Sequence, residues 1–169
     1  MVAHRHVMEK YIAFSESDRV KTTGRVGESG DSWEDTQMCW VSIKEGFAVG
    51  VSPTLNFKHL IEKNRIHLRS MLRLSFEGSS GGRRALLEVF PLFYDVIKQE
   101  LSGKKYTFVN YLIGSFPYIL RFKSTKWLMF SARYWGNINS YYVALSLKPP
   151  ILVDLLLSLA KYFFSNSRK

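Results

Sequence analysis

Four segments rich in aromatic and branched residues follow one another in the second half of the chain. They cover residues 106–113, 118–122, 127–135 and 141–147. Such side chains suit the half-buried, pleated surface of a sheet, so each segment is predicted to be a β-strand. Residues 136–140 consist mainly of turn formers and predict a hairpin loop that makes the last two strands antiparallel neighbours.

The preceding residues predict further strands and a helix. Two short strand-like runs occur in residues 38–51, residues 57–64 favour a short helix, and residues 66–76 form a mostly alternating strand. The glycine-rich residues 78–84 predict a turn that leads into an amphipathic helix over residues 86–101, which Pro91 kinks or begins. The predicted fold class is α+β, a small and mostly antiparallel sheet packed against one or two helices.

Three regions are expected along the chain. Residues 1–37 are polar and mixed in charge, and predict a flexible arm. Residues 38–150 form the globular domain, and residues 151–169 form an apolar C-terminal helix with a basic end. Three interpretations of that helix stay open, namely a core helix, a helix for self-association and an interfacial membrane helix.

Charge is the strongest indication of a partner. The net charge is +10 over 169 residues, and from Ser102 onward ten basic residues accompany one acid, Asp154. Such a field attracts phosphates and anionic lipids. No signal peptide and no spanning helix are expected, and the single cysteine, Cys39, excludes an intrachain disulfide.

The sequence shows no pattern typical of catalysis or of metal binding. The histidines His4, His6, His59 and His67 have no metal-ligand spacing with Cys39 or the acids, and no catalytic signature occurs. We therefore expect no enzyme activity, no metal and no cofactor.

Two groups of residues are predicted to make the functional contacts. The candidate contacts to lipid or nucleocapsid anions are Arg69, Arg73, Arg83, Arg84, Lys104, Lys105, Arg121, Lys123, Lys126 and Arg133. The candidate membrane or self-association contacts are Leu152, Leu155, Leu156, Leu159 and Phe163.

The order of motifs over residues 65–148 resembles the central part of rhabdovirus matrix proteins, in particular plant-infecting, cytorhabdovirus-like members. The resemblance lies in the basic turn, the helix that ends near Tyr94-Asp95-Val-Ile, the sequence Ser-Gly103-Lys104-Lys105, the stretch Leu112-Ile-Gly114-Ser115, and the closing hairpin that begins at Lys126-Trp. The chain departs from animal members because Pro149-Pro150 is followed by Ile-Leu instead of a late motif, and because its N-terminal arm is slightly acidic.

The resemblance implies a non-catalytic matrix protein that self-associates, condenses the nucleocapsid at the inner face of the envelope and supports budding. The implied partners are the viral nucleocapsid or RNA, an anionic membrane surface, the envelope glycoprotein tail and further copies of the chain. The implied location is the virion beneath the envelope and, in the host, the cytoplasm, internal membranes or nucleus. The alternative is a basic nucleic-acid-binding regulator, such as a viral silencing suppressor, in which Trp127, Tyr134 or Trp135 stacks on bases.

Overall fold

The computed structural model describes residues 4–17, 20, 33–50, 67–103, 107–121 and 123–164. These residues form seven α-helices and one 3₁₀ turn. The helices are α1 (Arg5–Ser15), α2 (Glu34–Lys44), α3 (Leu68–Val89), α4 (Tyr94–Ser102), α5 (Thr107–Leu120), α6 (Ser124–Leu145) and α7 (Ile151–Phe164), and the turn is Pro91–Phe93.

The predicted α+β fold is wrong, because the described residues contain no strand. The described residues of the four aromatic segments lie in α5 and α6, apart from residues 121, 146 and 147, and the predicted hairpin loop 136–140 lies inside α6. Strand preference spans only about 1 kcal/mol and depends on packing, so helical packing overrides it here. The predicted short helix 57–64 and part of the first strand pair lie outside the described residues.

Two predictions around α3 are also wrong. Residues 68–76 of the predicted strand 66–76 and the glycine-rich residues 78–84 belong to one continuous helix. The segment 86–101 is divided between two helices, because α3 ends at Val89. Of the two alternatives predicted for Pro91, the first turn is confirmed, since Pro91 begins the 3₁₀ turn that precedes α4. Pro91 lacks an amide donor and is therefore suited to a first turn. In contrast, the apolar C-terminal helix predicted over 151–164 is present as α7.

The core is formed by α3, α6 and α7, which each contribute apolar side chains to one cluster. Phe76 of α3 and Phe164 of α7 approach each other with ring centroids 6.1 Å apart. The buried members are Leu72, Phe76, Ala132, Trp135, Ile138, Leu157, Ala160 and Phe164. A second cluster joins α4 to α6 through Ile97, Tyr141 and Leu145. The central helix is α6, because α3, α4, α5 and α7 all pack against it.

The helices α3 and α6 approach most closely at Gly136. A Cβ atom at this position would overlap the carbonyl oxygen of Phe76 and would lie 2.9 Å from the Cβ of Ser79. The glycine therefore allows backbone contact that no other residue permits. Gly136 was predicted to lie in a hairpin loop, whereas in the structure it is a packing residue inside α6.

The helix α2 attaches to α3 through its polar and aromatic side chains. The indole Nε1 of Trp33 donates to the carbonyl oxygen of Gly78 at 2.9 Å, and the Gln37 amide donates to Glu88 at 2.8 Å. A Cβ at Gly82 would lie 2.8 Å from the Trp33 ring, so this glycine makes room for the indole. The glycines of α3 thus support a helix contact and not a turn.

Substitution of Gly136 by alanine should lower the free energy of unfolding by about 1–3 kcal/mol, because the added methyl group forces α3 and α6 apart. Gly78→Ala is the matched control, since nothing lies within 4 Å of its added Cβ. Alanine favours a helix interior, so the control should gain up to about 1 kcal/mol. Urea unfolding, monitored by circular dichroism, measures the change in the free energy of unfolding of both variants. Equal changes in the two variants would contradict the close contact.

Candidate functional site

The helix α5 packs on α6 through one narrow face. This face consists of Tyr111, Gly114, Ser115 and Tyr118, which have helical spacing. The Tyr111 and Ser131 hydroxyls are 2.9 Å apart, and the Tyr111 ring lies 6.1 Å from that of Phe130. A Cβ at Gly114 would lie 2.7 Å from the Phe130 ring, so the glycine sets the close approach of α5.

The remaining surface of α5 is apolar and exposed. None of its 14 residues is charged, and its exposed side chains include the 67% exposed Ile113 and the 58% exposed Phe116. The full apolar set, here named the α5 outer face, is Phe108, Val109, Leu112, Ile113, Phe116, Ile119 and Leu120. Continuous apolar patches of this kind mark interaction sites on proteins. The sequence interpretation missed this face because it assigned the segment to a sheet.

The helix α7 has one apolar side in the core and a second apolar side exposed. Leu157, Ala160 and Phe164 are buried against α3 and α6. The exposed set, here named the α7 outer face, is Ile151, Leu152, Leu155, Leu159, Tyr162 and Phe163. Four of the five predicted contacts therefore lie on this face, whereas Leu156 packs against the core cluster.

The predicted cations of α6 and of the link before it are exposed. Arg121, Lys123, Lys126 and Arg133 make no side-chain hydrogen bond or ion pair within the described part of the chain. Arg121 and Lys123 directly follow the apolar helix α5. Lys104 and Lys105 lie outside the described residues.

The predicted arginines of α3 are in different surroundings. Arg73 pairs with Glu77 at 2.9 Å and Arg84 with Glu88 at 3.4 Å, each one helical turn away. Arg69 is exposed near the start of the helix. Pairing with a neighbouring carboxylate reduces the positive field that an anion would meet at Arg73 and Arg84.

Arg83 lies in a network that joins α3 to α4 and α6. Its Nη1 donates to Ser140 at 2.8 Å and also to the Asn137 amide oxygen, and its Nη2 donates to the Tyr141 hydroxyl at 2.6 Å. The guanidinium carbon lies 3.5 Å from the centroid of the Tyr141 ring, and Glu100 is 3.5 Å from Nη2. Both terminal nitrogens of Arg83 are thus already engaged within the fold.

Tyr141 is the second member of this network. Its hydroxyl donates to Glu100 at 3.0 Å. Burial raises the pKa of Tyr141 above its ordinary value; the charge of Arg83 opposes the rise, and the hydrogen bond to Glu100 adds to it. The phenol therefore stays protonated and serves as a donor between the two charged groups.

Two grooves meet on α6. The first lies among α2, α3 and α6, has a volume of about 760 Å³ and is lined by Trp33, Trp40 and Arg133 among others. The second lies between α5 and α6, has a volume of about 530 Å³ and is lined by Tyr118, Lys126 and Arg133 among others. Of the aromatic residues predicted to stack on bases, Tyr134 lines the second groove and Trp135 is buried in the core.

Trp127, the third predicted stacking residue, is half-buried at the start of α6. Its indole Nε1 is buried and has no hydrogen-bond partner among the described residues. Within the same part of the chain, no group of three or more histidine, cysteine or acidic side chains could hold a metal ion. Of the helices that the structure describes, none combines the length and apolarity needed to cross a membrane.

Substitution of Arg83 by lysine should lower the free energy of unfolding by about 1–3 kcal/mol. The single ammonium group of lysine cannot donate to Ser140, Tyr141 and Asn137 together, as the planar guanidinium group of arginine does. Arg121→Lys is the matched control, since Arg121 is exposed without a partner in the described structure, and should change the free energy of unfolding by less than about 0.5 kcal/mol. Thermal and urea unfolding measure the difference. An Arg83→Lys variant with the same free energy of unfolding as wild type would show that the network does not stabilise the fold.

Comparison of the chain with protein-family models, with curated proteins and with solved structures finds no match. The sheet implied by the resemblance to rhabdovirus matrix proteins is absent from the described part of residues 65–148. The exposed faces, the cations and the grooves of this chain are therefore the features that indicate its function.

Proposed function

We propose that this chain is a non-catalytic protein that attaches to anionic membrane surfaces through the outer faces of α5 and α7. The observation that carries the proposal is the α5 outer face, seven large apolar side chains exposed on a helix without charge. Helices that bind at a bilayer surface lie in the interfacial layer with their apolar side toward the acyl chains. In this chain the charges would come from the basic residues that follow α5, since α5 itself has none.

The length of the two helices fits an interfacial position. Each has 14 residues, which corresponds to about 21 Å. The hydrocarbon core of a bilayer is about 30 Å thick, so neither helix spans it. Both helices are instead held along the protein by α6, with one apolar side left uncovered.

Apolar burial supplies the main free energy of attachment. Full burial of a large apolar side chain stabilises by about 1.5–3 kcal/mol. Seven side chains that are roughly half exposed on α5 therefore contribute on the order of 5–10 kcal/mol before the costs of association. Insertion of a carboxylate into either outer face should remove much of this gain.

The cations supply the preference for anionic lipid. Arg121, Lys123 and Lys126 are exposed where α5 leads into α6. Each basic residue near an anionic surface contributes about 1 kcal/mol. Arg168 and Lys169 follow α7 in the sequence, outside the described residues, and add charge to the end of the second apolar helix.

A second copy of the chain is the other partner that could cover the outer faces of α5 and α7. The net charge of +10 opposes the pairing of two copies, whereas the same charge favours an anionic bilayer. The membrane is therefore the better match in charge. Viral matrix assembly, with condensation of a nucleocapsid and budding, stays a prediction of the resemblance, and the present proposal does not depend on it.

Flotation with vesicles tests the proposal. Wild-type protein should float with vesicles of phosphatidylcholine and one third phosphatidylserine at low salt, and much less with phosphatidylcholine alone. Ile113→Glu and Leu159→Glu should each reduce the bound fraction by about tenfold, since a buried carboxylate costs several kcal/mol.

The matched controls are Asn110→Glu and Ser158→Glu, which add the same charge to exposed polar positions of α5 and α7. These variants should bind vesicles within about twofold of wild type, and circular dichroism should show that all four variants are folded. Equal flotation of Ile113→Glu and Asn110→Glu would overturn the proposal. If Ile113→Glu or Leu159→Glu abolishes a dimer of the wild-type protein but leaves flotation unchanged, the outer faces would be assigned to self-association.

A further inference from the structure

The two grooves described above share Arg133 and Asn137 as lining residues, so they lie side by side on α6 and are here together named the channel. This channel is distinct from the α5 outer face, because α5 borders it through Tyr118 of its inner face. An inference about the channel therefore does not rest on the proposed membrane attachment.

Aromatic rings lie in both of the grooves that Arg133 lines. Trp33 and Trp40 are stacked in the first groove, with centroids 6.1 Å apart and planes at 13°. In the second groove, Phe130 lies 5.7 Å from Tyr134 and 5.5 Å from Tyr118. All five rings are half-buried, so the protein fixes them while part of each remains accessible.

The charge of the channel is positive. Lys126 and Arg133 are exposed and have no partner in the described structure. Arg83 also lines the first groove, but its pairing with Glu100 reduces its contribution to the positive field. No carboxylate is among the described residues that line either groove. The acids next to lining residues in sequence are Glu34, Asp35 and Glu77. Glu77 pairs with Arg73 at 2.9 Å, and Glu34 and Asp35 contribute, after burial, to the raised pKa of Tyr11.

Stacking platforms that flank cations are the arrangement that binds single-stranded nucleic acid. Unpaired bases stack on aromatic rings, and basic side chains neutralise the phosphates between them. A duplex offers no free base faces, and a lipid headgroup offers no ring to stack. The channel therefore matches a single strand better than either of these ligands.

We propose that the channel across α6 binds a short segment of single-stranded nucleic acid, with bases on Trp33–Trp40 and on Tyr134 and phosphates on Arg133 and Lys126. The Asn137 amide, which both grooves share, lies where the strand would pass from one groove to the other. Together with the proposed membrane attachment, this site would let the chain hold nucleic acid near a bilayer.

Fluorescence anisotropy with labelled ten-nucleotide oligouridylate tests the proposal over a series of salt concentrations. Arg133→Ala should weaken binding about tenfold and should reduce the slope of log K against log salt by about 0.7, the value for one phosphate contact to a single strand. Trp40→Ala should weaken binding about tenfold with the slope unchanged, because stacking carries no charge.

Lys148→Ala is the control, since it removes one exposed positive charge outside both grooves. It should change binding by less than about twofold, as expected for a charge that makes no phosphate contact. Equal losses in Arg133→Ala and Lys148→Ala would overturn the proposal in favour of a general field effect. Equal affinity for a duplex of the same length, or no binding at low salt, would also overturn it.

The two proposals can fail separately. Ile113→Glu should bind the oligonucleotide as wild type does, because Ile113 lies on the α5 outer face and lines neither groove. A folded Ile113→Glu variant that loses nucleic-acid binding would show that the channel and the outer face are one site, and would contradict the separate channel.

Discussion

The close contact of α3 and α6 at Gly136 is the centre of the fold, because α2, α4, α5 and α7 pack against one or both of these helices. It brings Phe76 and Trp135 into one apolar cluster, on which α7 lies. The helix α5 packs on α6 through Tyr111 and Gly114, and Tyr111 also contacts Trp135 of the same cluster. Because α6 is surrounded by neighbours, α5 and α7 can each bury only one side. Their exposed apolar faces are thus a consequence of how the core is built.

The C-terminal helix was predictable from sequence because its signal was local. Fourteen apolar-rich residues after Pro149-Pro150 leave few alternatives to a helix. The aromatic segments were misassigned because strand preference reports fit to a half-buried surface, and a central helix with several neighbours offers such a surface as well. Gly136 and Ser140 are residue types that favour turns, yet here Gly136 allows a helix contact and Ser140 belongs to the Arg83 network.

The candidate site was predicted in part. Exposed cations on α6 and exposed leucines on α7 were identified from charge and apolar runs, which do not depend on the fold. The outer face of α5 was missed, although the spacing of Tyr111, Gly114, Ser115 and Tyr118 and the lack of charge could have indicated a helix with one packed side. The role of Arg83 could not be predicted, because its partners on α6 lie more than 50 residues away in sequence.

Site-directed fluorescence tests most directly whether the outer faces of α5 and α7 enter lipid. Single cysteines at Ile113 and Leu155, in a Cys39→Ser background, would carry an environment-sensitive dye, and Ala13→Cys on the exposed surface of α1 would serve as the reference. Addition of phosphatidylserine-containing vesicles should shift the emission to the blue at Ile113 and Leu155 and leave it unchanged at Ala13. Unchanged emission at Ile113 and Leu155 in vesicle-bound protein would contradict the account.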